Sequence, residues 1–281
     1  MKEALRAQLG EIVGAEPSRV ERLRGGCIAE VYGVHYGGGK VVAKVDEAGN
    51  LGLESAMLTY LRDHSALPVP EVIHASDTLL ILEYLPGSSQ NLGRAEPYAA
   101  ELFAQLHEVR AQRYGFAHDT LIGSLPQPNP QGDSWVSFFR EHRLLYMKGL
   151  AQRSGNLGER TGDRLEALAQ DLTDLLDEPP HPSLIHGDVW SSNVLAQGER
   201  VTGVLDPALY YADAEMELAY ISLFSTFGRT FFRRYDELRG VREGFGARRD
   251  LYNLYPLLVH VTLFGGGYAQ RVEGTLGRFG Y

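Results

Sequence analysis

The chain has 281 residues, 44% of them apolar and 22% charged, and its 36 acidic against 27 basic side chains leave a formal charge of −9. That composition rules out a mainly disordered chain, and the acidic balance argues against nucleic-acid binding or a basic membrane surface, both of which need clustered positive charge. The single cysteine, Cys27, allows no internal disulfide framework and points to a reducing compartment, the cytoplasm, while leaving a dimer linked through Cys27 open.

Residues 1–14 read as an amphipathic helix carrying Leu5, Leu9 and Ile12, without the apolar core of a secretory leader. No apolar run approaches the roughly 18 residues of a membrane span. Residues 24–30 form a glycine-rich turn feeding the alternating Val31, Tyr32, Val34 and Tyr36. Gly37-Gly38-Gly39 breaks that strand, and residues 41–45 return as a second one. Lys44 lies within it, the only one of the four lysines inside an apolar strand. Residues 51–63 have helical spacing, with Glu54, Met57, Leu58 and Leu61 on one face. A carboxylate at the head of an apolar stripe asks for a partner. Pro68 and Pro70 end the helix, residues 78–82 form a short buried strand, and Glu83-Tyr84-Leu85 leads into a Pro-Gly turn. The pattern then becomes helical: 97–110, 133–153, 160–177, near 213–226 and 247–263, interrupted by short strands at 183–185 and 201–205. A boundary at 83–88 divides the chain into lobes of 1–85 and 86–281. The expected class is α+β, with a small mainly β first lobe and a larger mainly helical second lobe.

The strongest chemical signal is His186-Gly187-Asp188-Val189-Trp190-Ser191-Ser192-Asn193, with Asp206 ending the apolar strand thirteen residues after Asn193. A loop carboxylate can take the proton of an attacking hydroxyl. An Asn and a second Asp can offer oxygen ligands to Mg²⁺ on nucleotide phosphates. The D-x-x-x-x-N spacing matches the catalytic loop of protein-kinase-like enzymes, and Asp206 opens DPA where protein kinases have DFG. Lys44 and Glu54 fit the strand lysine and helix glutamate that handle phosphates in such folds. Gly25 and Gly26 stand where a nucleotide-covering loop belongs, and Cys27 beside them is a redox candidate. Residues Glu83, Tyr84 and Leu85 could present backbone groups to an adenine edge. Trp190, two residues past the base, could form one wall for a sugar. His260 shares a helix face with Asn253. Glu217 reads as structural, closing the start of its helix against the catalytic loop; His186 reads as an orienting group and His107 as a satisfied core histidine.

Taken together, GGCIAEVY at 25–32, VVAKV at 41–45, HGDVWSSN at 186–193, LDPALYYADAEMELAYISLF at 205–224 and LYNLYPLLVHVTLFGGGY at 251–268 resemble the fructosamine kinases, or ketosamine-3-kinases, within the protein-kinase-like and aminoglycoside-phosphotransferase group. The resemblance implies a two-lobed kinase fold with ATP and Mg²⁺ in the cleft. It also implies phosphorylation of the sugar 3-hydroxyl of ketosamines, free or on glycated proteins, and no nucleic-acid or membrane partner. The phosphorylated product eliminates and frees the amine. The resemblance puts the base at Asp188, metal ligands at Asn193 and Asp206, the nucleotide lysine at Lys44 with its acid at Glu54, the hinge at Glu83–Leu85 and the loop cysteine at Cys27. Val189 and Pro256 depart from the family pattern. Two other readings remain: a kinase for aminoglycosides or other small metabolites, and a nucleotide-binding pseudokinase.

Overall fold

The computed structural model describes residues 3–23 and 29–281. Gly25, Gly26 and Cys27 therefore lie outside the described residues. The chain forms two compact units, Met1–Ala95 with Ser192–Pro207, and Glu96–Ser191 with Ala208–Tyr281. Sequence order offers only contiguous ranges such as 1–85 and 86–281; in space, residues 192–207 return to the first unit. No helix among the described residues is long and apolar enough to cross a membrane.

In chain order the first unit contains α1 (Glu3–Val13), β1 (Arg19–Arg22), β2 (Glu30–Tyr36), β3 (Gly39–Val45), α2 (Leu51–His64), β4 (Val72–Ala75) and β5 (Leu79–Glu83). The strands form an antiparallel sheet in the order β1-β2-β3-β5-β4. Two of them, β1 and β4, are four residues long with no buried position, so no apolar alternation announces them. Leu9 of α1 packs with Tyr32, Val34, Val41, Ala43, Leu79 and Ile81 on one face of the sheet.

The second unit begins with α3 (Glu96–His107) and the hairpin of β6 (Thr120–Ile122) and β7 (Leu125–Gln127). The helix expected over 133–153 is α4 (Trp135–Phe139) and α5 (Tyr146–Arg153), joined by a π-helical stretch over Arg140–Leu145. Next come α6 (Glu159–Gln170), α7 (Leu172–Leu175) and β8 (Ser183–Ile185). The hairpin of β9 (Val194–Gln197) and β10 (Arg200–Val204) belongs to the first unit, tied there by Val204 N–H to the Pro68 carbonyl at 2.7 Å. The chain then continues through β11 (Tyr210–Ala212), α8 (Ala214–Phe224), α9 (Arg229–Arg239), α10 (Phe245–Tyr252), α11 (Leu254–Phe264) and α12 (Gly267–Arg278). The single helix expected near 247–263 is divided at Asn253, which puts Pro256 in the first turn of α11, where its missing N–H costs no intrahelical bond.

Helix α8, which holds the loop after β8 through Glu217 and Tyr220, is fixed firmly at its start. Asp213 is its N-cap, accepting from the Glu215 N–H at 3.0 Å. The other Asp213 oxygen takes the Tyr252 hydroxyl at 2.6 Å and the Arg242 guanidinium, while Arg248 pairs with Glu215 at 2.7 Å.

Candidate active site

Period-two alternation places the lysine. Val41 and Ala43 of β3 face the α1 side of the sheet, so Val42 and Lys44 face the other, where they line a cavity of ≈ 360 Å³ in the first unit. The register sets Val31 of β2 opposite Lys44 and Leu82 of β5 opposite Val42, and both line the same cavity. Glu54 and Leu58, one helical turn apart on α2, complete that side, and Leu195 and Leu205 reach it from the β9–β10 segment. Mostly apolar walls with a few convergent polar groups are what a small-ligand site needs.

Lys44 Nζ donates to Glu54 Oε1 at 2.5 Å and to Asp206 Oδ1. Burial works against the charged ammonium, but Asp206 and Glu54 outweigh it and hold the lysine above its usual range. Burial pushes Glu54 up, against the pull of Lys44. Asp206 has φ 55°, a left-handed conformation that Asp tolerates better than most residues. Leu205 N–H donates to the Asn193 carbonyl at 2.8 Å, continuing the ladder one rung beyond the Val204–Val194 pair. The hairpin thus folds thirteen residues back on themselves, and Asn193 and Asp206 both line the cavity at its base. Two hard oxygen donors beside a nucleotide-sized cavity suit Mg²⁺, which keeps waters and takes phosphate oxygens rather than needing a protein cage. Among the described residues no cluster of three or more His, Cys, Asp or Glu forms such a cage.

Glu83, Tyr84 and Leu85 line the same cavity where β5 ends. Glu83 is pinned by its N–H to the Glu71 carbonyl at 2.9 Å, and Lys40 Nζ sits 4.1 Å from the centre of the Tyr84 ring.

Asp188 belongs to the second unit. Its loop follows β8, which pairs with β11, and the Ala208 N–H donates to the His186 carbonyl at 2.8 Å. Gly187 adopts φ +87°, and a Cβ there would collide with the Ala208 carbonyl, so only glycine fits. Buried Glu217 of α8 accepts the His186 N–H at 3.1 Å and the Gly187 N–H at 2.7 Å. Burial is the largest influence and opposes its charge, but the His107 hydrogen bond at 3.1 Å, the charges of His107 and His186 and the Gly187 N–H together outweigh it and keep the carboxyl below its ordinary range. His107 meets Tyr235 through its other nitrogen at 2.7 Å, so it is the satisfied core histidine expected. The Asp188 N–H donates to His186 Nδ1 at 3.2 Å, which agrees with an orienting role for that ring. One contact was not foreseen: the Tyr220 hydroxyl donates to Asp188 Oδ1. Its signal was spacing, since Tyr220 lies three residues past Glu217 and so shares its face of α8.

Trp190 is half-buried, and its backbone N–H donates to the Asp188 carbonyl at 3.2 Å. On α11, His260 donates from Nδ1 to the Pro256 carbonyl at 2.8 Å, which leaves Nε2 as the acceptor of a neutral ring. Burial lowers its pKa and favours that form. A row of rings links it to the loop: Tyr220 packs on Phe224 at 4.8 Å, and Phe224 on His260 at 4.9 Å.

The fructosamine kinase family model matches residues 1–279. The Synechocystis protein named "Probable ketoamine kinase" is 35% identical, over 98% of this chain and 95% of its own length. A solved structure from Thermobifida fusca, assigned as a fructosamine-3-kinase, is 29% identical with a TM-score of 0.88, covering 99% of this chain and 98% of that one. A thermostable mutant of an aminoglycoside phosphotransferase, at 20% identity, shares the fold with a TM-score of 0.67 over 97% of each chain. The protein is a kinase with the aminoglycoside-phosphotransferase type of α+β fold. Within that class, the chain belongs to the fructosamine kinase family.

Proposed function

We propose that this kinase transfers the γ-phosphoryl group of ATP to the sugar 3-hydroxyl of ketosamines, the adducts of fructose- or ribulose-type sugars with amines. The observation that carries the nucleotide half of the reading is the Lys44 ammonium held between Glu54 and Asp206 at the polar end of an apolar cavity. Its aliphatic walls suit a flat heterocycle, with Glu83, Tyr84 and Leu85 as the adenine edge and Lys44 on the phosphates. Residues 1–85 with the returning hairpin are the nucleotide-binding part, and the rest supplies the acceptor side. Mg²⁺, held by Asn193 and Asp206, would offset charge on the phosphates.

On the acceptor side Asp188 takes the proton of the sugar hydroxyl as its oxygen bonds to phosphorus and ADP leaves. The half-buried Trp190 forms a wall for the sugar, and the His260 Nε2 lone pair accepts from one of its hydroxyls. The 3-phosphate so formed is a good leaving group beside a carbonyl, so the product eliminates inorganic phosphate, and water then hydrolyses the resulting imine to release the amine. Small ketosamines and glycated proteins are both acceptors of this chemistry. The single cysteine supports a cytoplasmic setting.

A substrate panel with ATP tests the reading: fructose-lysine, ribulose-lysine and kanamycin, with product masses measured. Phosphorylated lysine adducts without phosphorylated kanamycin support it. Kanamycin phosphorylation alone makes the enzyme an aminoglycoside kinase, and ATP binding without transfer to any acceptor makes it a pseudokinase.

A further inference from the structure

Glu217 and Tyr220 project from one face of α8 onto the same short loop but hold different parts of it. The Glu217 carboxylate takes backbone N–H groups of His186 and Gly187, which fixes where the loop runs. Tyr220 takes the side chain, donating its hydroxyl to Asp188 Oδ1. Tyr220 is 5% exposed, and a buried phenol must find an acceptor or pay for its lost hydration. Its ring is packed independently, 4.8 Å from Phe224. Removing the hydroxyl alone therefore leaves the packing intact.

We infer that Tyr220 is a positioning residue for the base, setting the plane of the Asp188 carboxylate and favouring its ionised form. This rests on the reading of Asp188 as the base. Burial and the neighbouring Asp188 charge both raise the Tyr220 phenol well above its ordinary range, so the phenol donates and the carboxylate accepts at any working pH. The titratable groups seen to face Asp188 and Tyr220 include Glu217 on α8, Tyr255 on α11 and His186 in the loop. A hydrogen bond donated to a carboxylate lowers its pKa, so losing it moves the ionisation upward.

The test is Tyr220→Phe, with two readouts. In kinetics with the preferred ketosamine, kcat should fall roughly 10- to 100-fold, the range of one hydrogen bond to a charged group. KM for ATP should stay at the parent value, and the acid limb of the kcat–pH profile should move up by about one pH unit. Independently of any acceptor, carboxyl ¹³C NMR of Asp-labelled enzyme, assigned with Asp188→Asn, should show Asp188 titrating at higher pH in the variant. Parent-like titration and parent-like kcat in folded Tyr220→Phe overturn the inference. An NMR shift in an enzyme that phosphorylates no ketosamine leaves the positioning role standing and removes the substrate reading. If Tyr220→Phe does not fold, 3-fluorotyrosine at position 220, a stronger donor of nearly the same shape, should lower the Asp188 titration; an unchanged one counts against the inference.

Discussion

Asp188, Lys44 and Gly187 each do something their neighbours cannot replace. If Asp188 is the base proposed above, Asp188→Asn removes the proton acceptor but not the shape, and kcat should fall roughly 10²- to 10⁴-fold with ATP binding retained. A steady-state assay beside a nucleotide titration checks both halves; parent-like turnover would remove the base from Asp188. Lys44→Met leaves Glu54 and Asp206 facing each other without their shared cation. Its kcat/KM for ATP should drop roughly 10- to 100-fold, the range for losing charge-assisted hydrogen bonds. Gly187→Ala introduces a Cβ against the Ala208 carbonyl in a left-handed backbone, and about 1–3 kcal/mol of strain should appear as a lower melting temperature. A melt equal to the parent's would show that the loop relaxes freely.

Among the elements, α8 depends most on single side chains. Asp213 both caps the helix and neutralises Arg242. Asp213→Ala loses a cap worth about 1 kcal/mol. It also strips a carboxylate from a largely buried ion-pair cluster, which costs about 3–5 kcal/mol when one partner goes. Asp213→Asn retains the cap acceptor, so urea melts should rank it between the parent and Asp213→Ala. Equal losses for both variants would mean that the cap contributes nothing. The alternation along β3 and the 3.6-residue spacing of α2 are local properties, which is why Lys44 and the inward face of Glu54 could be read from residue order. The short strands β6, β7, β9 and β11, and the helices α9 and α12, were not foreseen. The four strands are only three or four residues long, too short for a period to register. In α9, Phe231 and Tyr235 are the buried pair of a segment otherwise dominated by Arg, Asp and Glu, so its apolar face becomes evident only against Phe103 and Phe227.

For the molecule as a whole, acid stability should draw on both units. Lys40 and then His35 hydrogen-bond Glu21 in the first unit and hold it down to about 2; Glu217 in the second is held below the ordinary 4.5 of a glutamate. Each carboxylate binds its proton less readily folded than unfolded. Their stabilisation is therefore complete above about pH 4.5 and is lost as pH falls through the folded values. Melting temperature should decline below pH 4.5, and Glu217→Gln should show a lower melt at neutral pH with a shallower decline on the acid side. An acid slope identical to the parent's would mean that Glu217 titrates alike in both states.

Residue order alone determined the chemistry on offer: a loop acid, an amide five residues on, a second acid after an apolar strand and a strand lysine before a helix glutamate. Those signals are legible because reaction chemistry and element periods restrict residue type over short stretches. Tertiary structure alone decided which of them meet. Asp206 reaches Lys44 because a hairpin returns residues 192–207 to the first unit, and Tyr220 reaches Asp188 because α8 lies against the loop that follows β8. Contacts across 162 and 32 residues depend on chain reversal and packing, which no local pattern encodes.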